Sequence, residues 1–352
     1  MDIKKTLVSL RKDVDKRLNI YLEKKISKAR KISPLAEKMA SEIKRFVINN
    51  GKRIRPILVY YGYLAGGGKN KKAILDASIF AELIHDYFLI HDDIIDKDDL
   101  RRGQNSFHRQ YEIFYKKEPA AKHLGISAAI LAGDLLAVFG YDVLARAKFD
   151  TGVKNKAIDE LNKVVADVIA GQTLDVFLGR ERYLEEKEIS KIQEYKTSRY
   201  TIEGPLKIGA ILAGAGQKTL TQISAYALPI GIAFQIYDDI LGMFGDSKKT
   251  GKPSGADLRE GKQTLLILKA RAMANQKQKK IIDRALGNPL LGEDELNEVR
   301  KIIMESGSLQ YSKELARQFV NKADSILKKS FFPEETKLFL AGVGRYIIDR
   351  EK

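Results

Sequence analysis

The stretch FAELIHDYFLIHDDIIDKDDLRRG, residues 80–103, joins a helical apolar pattern to a dense acidic end. Its apolar side chains recur at spacings of three and four residues, which is the period of an amphipathic helix. Five aspartates fall within positions 92–99, and two arginines follow them. The helical period places Asp92 and Asp96 on one line, with His85 two turns earlier. The stretch therefore predicts a helix that ends in converging carboxylates.

Most of the chain repeats this helical pattern. Alternating β-branched runs bounded by hairpin turns are scarce, so we expect an all-α protein of about a dozen helices. No change of composition and no proline- or serine-rich linker divides the sequence, which predicts a single domain over residues 1–352. Loops are expected at residues 66–70, 116–123, 178–188, 245–262 and 287–295.

The composition indicates a basic, soluble globular protein. Its 352 residues are 44% hydrophobic, which is enough to fill a sizeable core. The balance of 62 Lys and Arg against 46 Asp and Glu leaves a formal charge of +16. This charge fits a lysine-rich solvated surface, a nucleic acid, an anionic membrane surface or a phosphorylated small substrate. Cysteine is absent, which excludes disulfides and thiolate chemistry, and we expect a cytoplasmic protein.

The apolar segments are too short or too interrupted for a membrane span. Residues 1–31 alternate charged and apolar side chains, which predicts an amphipathic helix rather than a signal peptide. Proline, glycine or aspartate breaks the apolar windows at 128–140 and 227–234. We therefore expect no transmembrane segment.

A second aspartate pair, Asp238 and Asp239, follows another apolar helical run, AFQIY. Two similar acidic helical segments in an all-α chain predict a shared cavity. Carboxylates that converge repel one another unless a cation or a proton lies between them, and oxygen-only ligands suit Mg²⁺. Magnesium usually takes one or two carboxylates and completes its shell with water and phosphate oxygens. The sequence therefore predicts a phosphate-bearing ligand.

Basic residues accompany each acidic segment, and a third basic group lies upstream. They are Arg101 and Arg102 after the first segment, Lys252 and Lys262 after the second, and Lys52 and Arg55 within GKRIRP at 51–56. Arginine binds phosphate oxygens at two points, while lysine acts as a mobile point charge. Three separated basic groups imply more than one diphosphate.

Other interpretations of the acidic segments remain open at this point. Acidic runs are usually solvated surfaces, and residues 92–99 could form a helix end held by its own ion pairs. An EF-hand loop is excluded because neither segment has alternating oxygen ligands around a central glycine, and no P-loop motif occurs. A nucleic-acid-binding protein would explain the basic charge, but the aspartates would repel phosphate in the absence of a metal.

The chain resembles the trans-isoprenyl diphosphate synthases, the farnesyl and geranylgeranyl diphosphate synthase family of polyprenyl synthetases. A collinear series of motifs carries the resemblance. These are GKRIRP (51–56), ELIHDYFLIHDDIIDKDDLRRG (82–103), AILAGDLL (129–136), GQTLD (171–175), YKTSRYT (195–201) and FQIYDDILGMFGDSKKTGKPSGADLREGKQTLL (234–266). Each motif alone is moderately specific, whereas the ordered set is very specific.

The resemblance implies the isoprenoid synthase fold, an antiparallel helix bundle around a deep central cavity, usually as a homodimer. The two aspartate motifs would face each other across the mouth of that cavity. The implied reaction joins isopentenyl diphosphate to dimethylallyl, geranyl or farnesyl diphosphate and releases diphosphate. Three Mg²⁺ ions, with Mn²⁺ as a substitute, would assist ionisation of the allylic bond. We expect the departing diphosphate to take up the proton, because no side chain in the motifs stands out as a base.

The resemblance also assigns roles to individual residues. Asp92, Asp96 and Asp238 would bind the metal ions, with Asp93 and Asp239 in support. Arg101, Lys196 and Lys252 would hold the allylic diphosphate, and Lys52, Arg55, His85 and Arg102 would hold isopentenyl diphosphate. Gln235, Thr197 and Gln172 match positions that line the reaction zone, and Lys262 belongs to a loop expected to close over it.

One departure from the family pattern and one size marker concern the second motif and the product length. The family's second motif is often DDxxD, whereas its fifth position here is Gly242, so one carboxylate is missing. Tyr87 and Phe88 lie about one turn before Asp92, where bulky side chains would form a cavity floor that stops the growing chain. An aromatic pair at these positions resembles the pattern of synthases that make fifteen-carbon products. Other local sequence features, including the terminal GRYIIDREK, resemble archaeal geranylgeranyl enzymes. We expect a product of fifteen to twenty carbons.

Two further readings share part of the pattern. A class I terpene cyclase would carry an Asn/Ser/Glu-type second metal motif, and DDILGMFGD at 238–246 does not supply one. A noncatalytic subunit of a heteromeric synthase would tend to lose the first aspartate motif, which this chain keeps.

Overall fold

The computed structural model describes residues 2–49, 51–179, 183–245 and 254–348. These residues form α-helices, one π-helix and one two-stranded sheet, which confirms the all-α prediction. The helices group into two compact units, Met1–Asp159 with Pro205–Gly216, and Glu160–Gly204 with Gln217–Lys352. The prediction of a single domain over 1–352 stays a prediction.

The first unit contains seven whole helices and a short hairpin among its described residues. Its elements are α1 (Ile3–Arg30), α2 (Pro34–Ile48), α3 (Ile54–Ala65), α4 (Lys71–Ser78), α5 (Phe80–Ile95), β1 (Leu100–Arg101), β2 (Gln104–Asn105), α6 (Phe107–Phe114) and α7 (Ala121–Ala145). Helices α8 (Thr151–Phe177) and α10 (Gly204–Leu212) contribute residues to both units.

The second unit is also helical in its described residues. It holds α9 (Glu186–Ile192), a π-helix (Gln193–Glu203), α11 (Gln217–Phe244), α12 (Ala256–Arg259), α13 (Leu265–Met273), α14 (Gln276–Ala285), α15 (Glu293–Glu305), α16 (Ser308–Lys328) and α17 (Glu334–Ile348).

Local sequence explains the N-terminal helix. The Asp2 side chain accepts a hydrogen bond from the Lys5 backbone N–H and so caps α1. Residues spaced four apart along α1 are buried, namely Val14, Leu18, Leu22 and Ile26. Burying an aliphatic side chain of this kind contributes about 1.5–3 kcal/mol. The predicted amphipathic helix over residues 1–31 is confirmed.

The predicted loops are shorter than expected because charged residues in them cap helices. Glu188 accepts a hydrogen bond from the Glu185 N–H at 2.8 Å, so α9 starts inside the loop predicted at 178–188. Glu295 accepts from the Gly292 N–H at 3.3 Å, and α15 starts there in the same way. Part of the loop predicted at 245–262 lies outside the described residues.

Two helices, α7 and α11, are long and apolar enough to cross a membrane by length and composition. Their most apolar windows are 44% and 56% buried, respectively. Helices in the core of a globular protein pass the same test, so these two are weak evidence for a membrane span.

Candidate active site

The first acidic segment ends α5 as predicted. Asp96 is the C-terminal cap, and its N–H donates to the Asp92 carbonyl at 2.8 Å, so both residues share the last helical turn. The Asp92 side chain keeps 23% of its surface exposed, whereas that of Asp93 is completely buried. Asp92 is therefore the accessible member of the pair, whereas Asp93 is enclosed by protein.

Arg101 binds this acidic segment directly. Its Nε donates to Asp93 Oδ1 at 2.6 Å, and its Nη2 lies 3.1 Å from Asp98 and 3.7 Å from Asp92. The pairing neutralises the buried Asp93, which would otherwise be a costly isolated charge. Arg101 therefore lies beside the predicted metal ligand Asp92.

A tight hairpin fixes Arg101 and Arg102. Leu100 pairs with Asn105 and Arg101 with Gln104, which leaves Arg102 and Gly103 as a two-residue loop. Both loop residues have positive φ, 52° and 75°, as a type I′ turn requires. The hairpin explains why adjacent arginines can serve different partners.

Arg102 points to a different carboxylate. Its Nη2 lies 3.2 Å from Asp86 Oδ1, and its Nη1 donates to the Asn49 carbonyl at 3.0 Å. Asp86 is completely buried, and burial raises the pKa of its carboxyl to about 7 even though Arg102 and Arg53 oppose that shift. The ion pair favours the charged form, but burial has the larger effect. Asp86 is not among the predicted site residues, although it directly follows His85 in the sequence.

His85 lies in a cationic environment. Burial, and then the charges of Arg55 and Arg102, lower the pKa of its imidazole well below the usual value. The histidine is therefore neutral at physiological pH and offers one N–H donor and one acceptor. Of the residues predicted to hold isopentenyl diphosphate, Arg55 and Arg102 lie close enough to His85 for their charges to lower the pKa of its imidazole.

The GKRIRP segment precedes and opens α3. Lys52 is exposed, and Arg55 lies partly buried in the first helical turn, with Pro56 directly after it. Arg53, which the sequence analysis did not single out, is buried between these two cations. A buried arginine cannot be told from an exposed one by residue type alone.

The aromatic pair on α5 forms a cluster with His91. The Tyr87 and Phe88 ring centroids lie 4.5 Å apart, and the Tyr87 ring lies edge-on to His91 at 4.9 Å. Both aromatic side chains keep part of their surface accessible. Phe88 lies one helical turn before Asp92, and Tyr87 is its neighbour, as the sequence predicted.

In the second unit, the two aspartates of the second motif differ in exposure. Asp238 is exposed near the end of α11, whereas Asp239 is 8% exposed. Burial and then the negative charge of Asp257 raise the pKa of Asp239 well above its usual value. Asp238 is thus the member of the pair that is open to a ligand.

A chain of hydrogen bonds connects three predicted site residues. Thr197 Oγ1 donates to Gln235 Oε1 at 2.6 Å, and Gln235 Nε2 donates to Asp239 Oδ1 at 2.7 Å. Because both ends of the Gln235 amide are engaged, its orientation is fixed. The chain orients the buried Asp239 behind the exposed Asp238.

Lys196 and Thr197 lie on the π-helix. Lys196 Nζ lies 2.6 Å from Asp175 Oδ2 on α8, the helix that also carries Gln172. A Cβ atom at Gly171 would lie 2.4 Å from the Lys196 backbone nitrogen, and one at Gly231 would lie 2.4 Å from the Ser198 Cα. Only glycine allows this approach, so α8 and α11 can pack directly against the π-helix backbone. Such π-segments are rare and often occur at functional sites.

The region around the missing carboxylate holds another acid. Asp257 Oδ2 lies 3.0 Å from the position that a Cβ atom would take at Gly242. Lys262 Nζ lies 2.6 Å from Glu260 and 3.8 Å from Asp257. The predicted residue Lys252 lies outside the described residues. Asp257 lies outside the second motif, so the motif pattern does not predict it.

The donor set fits magnesium rather than a metal held entirely by protein. No group of three or more His, Cys, Asp or Glu side chains in the described parts of the chain is arranged to hold a metal ion. The first unit presents the partly exposed carboxylate of Asp92, and the second unit presents the exposed carboxylate of Asp238. Burial and neighbouring acids disfavour the charged form of Asp239. Magnesium bound by one or two carboxylates and phosphate oxygens matches this arrangement.

Comparison with known proteins agrees with the motifs. The family model described as Polyprenyl synthetase matches residues 37–303. The chain is 32% identical over 300 residues to a short chain isoprenyl diphosphate synthase of Methanocaldococcus jannaschii, covering 85% of this chain and 83% of the relative. It is 33% identical over 308 residues to a geranylfarnesyl diphosphate synthase of Aeropyrum pernix, covering 86% and 91%.

A solved structure extends the match to three dimensions. The crystal structure of geranylgeranyl pyrophosphate synthase from Corynebacterium glutamicum, complexed with isoprenyl diphosphate and magnesium, aligns with a TM-score of 0.93 at 31% identity over 100% of both chains. The chain therefore belongs to the polyprenyl synthetase family, the trans-isoprenyl diphosphate synthases, and has their all-α isoprenoid synthase fold.

Proposed function

We propose that the protein is a short-chain trans-prenyltransferase that condenses isopentenyl diphosphate with an allylic diphosphate. Its products would be farnesyl or geranylgeranyl diphosphate, and its primers dimethylallyl, geranyl and farnesyl diphosphate. One observation carries the proposal: a neutral His85 lies among the charges of Arg55 and Arg102, on the same helix as the carboxylates Asp92 and Asp96. This arrangement supports a phosphate-binding role for His85 and a metal-binding role for the aspartates at the end of the same helix.

The homoallylic substrate would bind to the basic group of the first unit. Arg55 and Arg102 supply forked donors for its diphosphate, Lys52 adds a mobile charge, and the neutral His85 donates one N–H. Arg102 is held by Asp86 at 3.2 Å, so its guanidinium is oriented before substrate arrives. Preorganised cations of this kind bind phosphate without a reorganisation cost at the moment of reaction.

The allylic diphosphate would bind through Arg101, Lys196 and Lys252 and through metal. Asp92 and Asp96 in the first unit and Asp238 in the second would hold Mg²⁺, three ions in all, with Mn²⁺ as a substitute.

 The number of three ions comes from the family resemblance. When bound, Mg²⁺ supplies charge stabilisation for the diphosphate that leaves the allylic carbon. Arg101 and Lys196 would each add positive charge to the binding of this diphosphate, which would favour the departure of the leaving group.

The new carbon–carbon bond leaves one proton to be removed. Among the described residues of the motifs, no side chain is placed as an evident base, since His85 belongs to the diphosphate-binding group and Asp93 is bonded to Arg101. We propose that the departing diphosphate accepts this proton. The bond chain of Thr197, Gln235 and Asp239 would then orient polar groups rather than transfer protons.

Tyr87 and Phe88 would set the product length. Their partly accessible rings lie one turn before the first aspartates, so a growing chain that extends along α5 would stop at them. The proposal is a product of fifteen to twenty carbons.

We further propose a cytoplasmic homodimer. Helix α7 exposes apolar side chains seven residues apart, with Leu131 and Val138 each 61% exposed and Ile130 44% exposed. An apolar stripe of this kind on a charged protein favours association with a second copy. Sedimentation velocity would test the dimer, and Leu131→Arg should shift it towards the monomer.

The deciding experiment combines substrate, metal and product analysis. The protein is incubated with isopentenyl diphosphate, Mg²⁺ and each allylic primer in turn, and the dephosphorylated products are sized. We expect linear prenyl alcohols that disappear with EDTA and return with added Mg²⁺. Cyclic hydrocarbons would support a class I terpene cyclase, and no turnover with any primer would support a noncatalytic subunit.

A further inference from the structure

Arg53 is a fully buried arginine between two exposed or half-exposed cations. Its side chain has 0% exposure, while Lys52 before it is exposed and Arg55 after it is partly buried. Its backbone is left-handed, with φ 56° and ψ 30°, at the N-terminal cap of α3. Its side chain does not cap the helix.

The Arg53 guanidinium joins three helices of the first unit. Nε donates to Asp15 Oδ1 on α1 and Nη1 to Glu82 Oε1 on α5, each at 2.7 Å. Nη2 donates to the carbonyl oxygen of Val47 on α2, also at 2.7 Å. Three short bonds in three directions fix a planar group in position and orientation, which a lysine ammonium cannot reproduce.

The chain before Lys52 packs directly on this guanidinium. A Cβ atom at Gly51 would lie 2.1 Å from Arg53 Nη1 and 2.9 Å from Glu82 Oε1. Gly51 and the Arg53 side chain therefore occupy adjoining space, and the backbone of residues 51–53 wraps around the ion pair. Displacement of the guanidinium would displace this turn.

The left-handed backbone points to the same conclusion. Among the non-glycine residues that the structure describes, positive φ occurs at Arg53, Lys97 and Arg102, all in the first unit. A side-chain-bearing residue keeps this conformation only where its surroundings impose it. At Arg53 the three buried bonds supply that constraint.

We propose that Arg53 is a positioning residue for the isopentenyl diphosphate site, where its buried guanidinium holds the Gly51–Arg55 turn so that Lys52 and Arg55 present their charges together. The inference rests on the proposed function. Arg53 itself touches no substrate, because its side chain is buried and each of its nitrogens is bonded to protein.

Steady-state kinetics of Arg53→Lys test this role. We expect the KM for isopentenyl diphosphate to rise about tenfold, because the charge is kept but the three-way constraint is lost. The KM for the allylic primer should stay within about twofold and kcat within about threefold, since uniform binding of one substrate is what is weakened. Arg17→Lys is the matched control, since Arg17 forms a 2.8 Å bond to Asp76 within the same unit. It should leave both KM values unchanged.

A milder variant covers the case in which Arg53→Lys fails to fold. Asp15→Asn weakens one of the three bonds at a side chain that is 30% exposed, and it should raise the KM for isopentenyl diphosphate about threefold. A lower melting temperature with an unchanged KM in the folded variants would make Arg53 purely structural and overturn the inference. No turnover by the wild-type protein would instead refute the proposed function.

Discussion

The carboxylate of Asp257 lies beside Gly242, with its Oδ2 3.0 Å from the position of a Cβ atom there. The second aspartate motif lacks an acid at residue 242, and the structure places one from a later segment next to that position. Asp257 also raises the pKa of Asp239, so the two carboxyl groups interact. The second unit therefore keeps a cluster of acids although its motif lacks the acid at residue 242.

Restoring the usual motif with Gly242→Asp should create like-charge repulsion against Asp257. We expect the free energy of unfolding to fall by about 1 kcal/mol relative to Gly242→Asn, which has the same shape without the charge. Mg²⁺ with pyrophosphate should reduce the difference, because cations relieve the repulsion. Thermal melts of both variants, with and without these additions, provide the measurement. Equal responses of the two variants to metal would contradict this electrostatic account.

The two aspartates at 238 and 239 should respond differently to neutralisation. Asp238→Asn removes an exposed metal ligand and should lower kcat by about 100-fold or more. Asp239→Asn keeps an acceptor for Gln235 Nε2 and removes a buried carboxyl group whose charged form is disfavoured, so we expect a loss of about tenfold or less and a higher melting temperature. Kinetics and melting curves of both variants check the order. A greater loss at 239 than at 238 would mean that Asp239 binds the metal.

The aromatic pair should control product length. Tyr87→Ala and Phe88→Ala each remove a ring from the cluster with His91, and both should shift the product distribution towards longer chains. Chromatography of the dephosphorylated products measures the shift. Phe114→Ala is the control, because this aromatic residue is 61% exposed on α6 and should leave the distribution unchanged. Unchanged products in both α5 variants would mean that the rings only pack between helices.

Asp86 should make stability depend on pH. Its pKa is raised to about 7 in the folded protein, from an ordinary value near 3.8, so the folded state binds more protons than the unfolded state between these values. Stability should therefore fall as pH rises through this window, by at most about 1.4 kcal/mol per pH unit, and level off above it. Denaturant melts of wild type and Asp86→Asn from pH 4 to about 8 isolate this contribution. A constant difference between the two proteins would show that Asp86 stays ionised throughout.

The sequence predicted the elements that depend on local periodicity. The helical spacing around His85 and Asp92 gave α5 and its acidic end, because one buried face is enough to impose that pattern. The helix caps at Glu185 and Gly292 fall within predicted loops, because charged residues at a helix start resemble charged residues in a turn. The π-helix could not be predicted, because its 11 residues make too few turns for the wider period of i to i+5 bonding to be told from that of an α-helix.

Sequence reasoning also missed residues whose role depends on tertiary contacts. Arg53 looks like a third cation in GKRIRP, and only its burial against Asp15 and Glu82 separates it from its neighbours. Asp86 and Asp257 are ordinary acids in the sequence and gain their importance from Arg102 and Gly242. Contacts between different helices and loops give these residues their roles, and such contacts cannot be read from a single sequence.

The π-helix that carries Lys196 and Thr197 limits which substitutions can raise the thermal stability of this enzyme. Strong α-helix formers at residues 193–203 would favour α-helical winding, which changes the angle between successive side chains relative to the π-helix. Lys196 would then swing away from Asp175, and Thr197 from Gln235. Libraries of stabilising variants should therefore keep residues 193–203 unchanged and vary other positions.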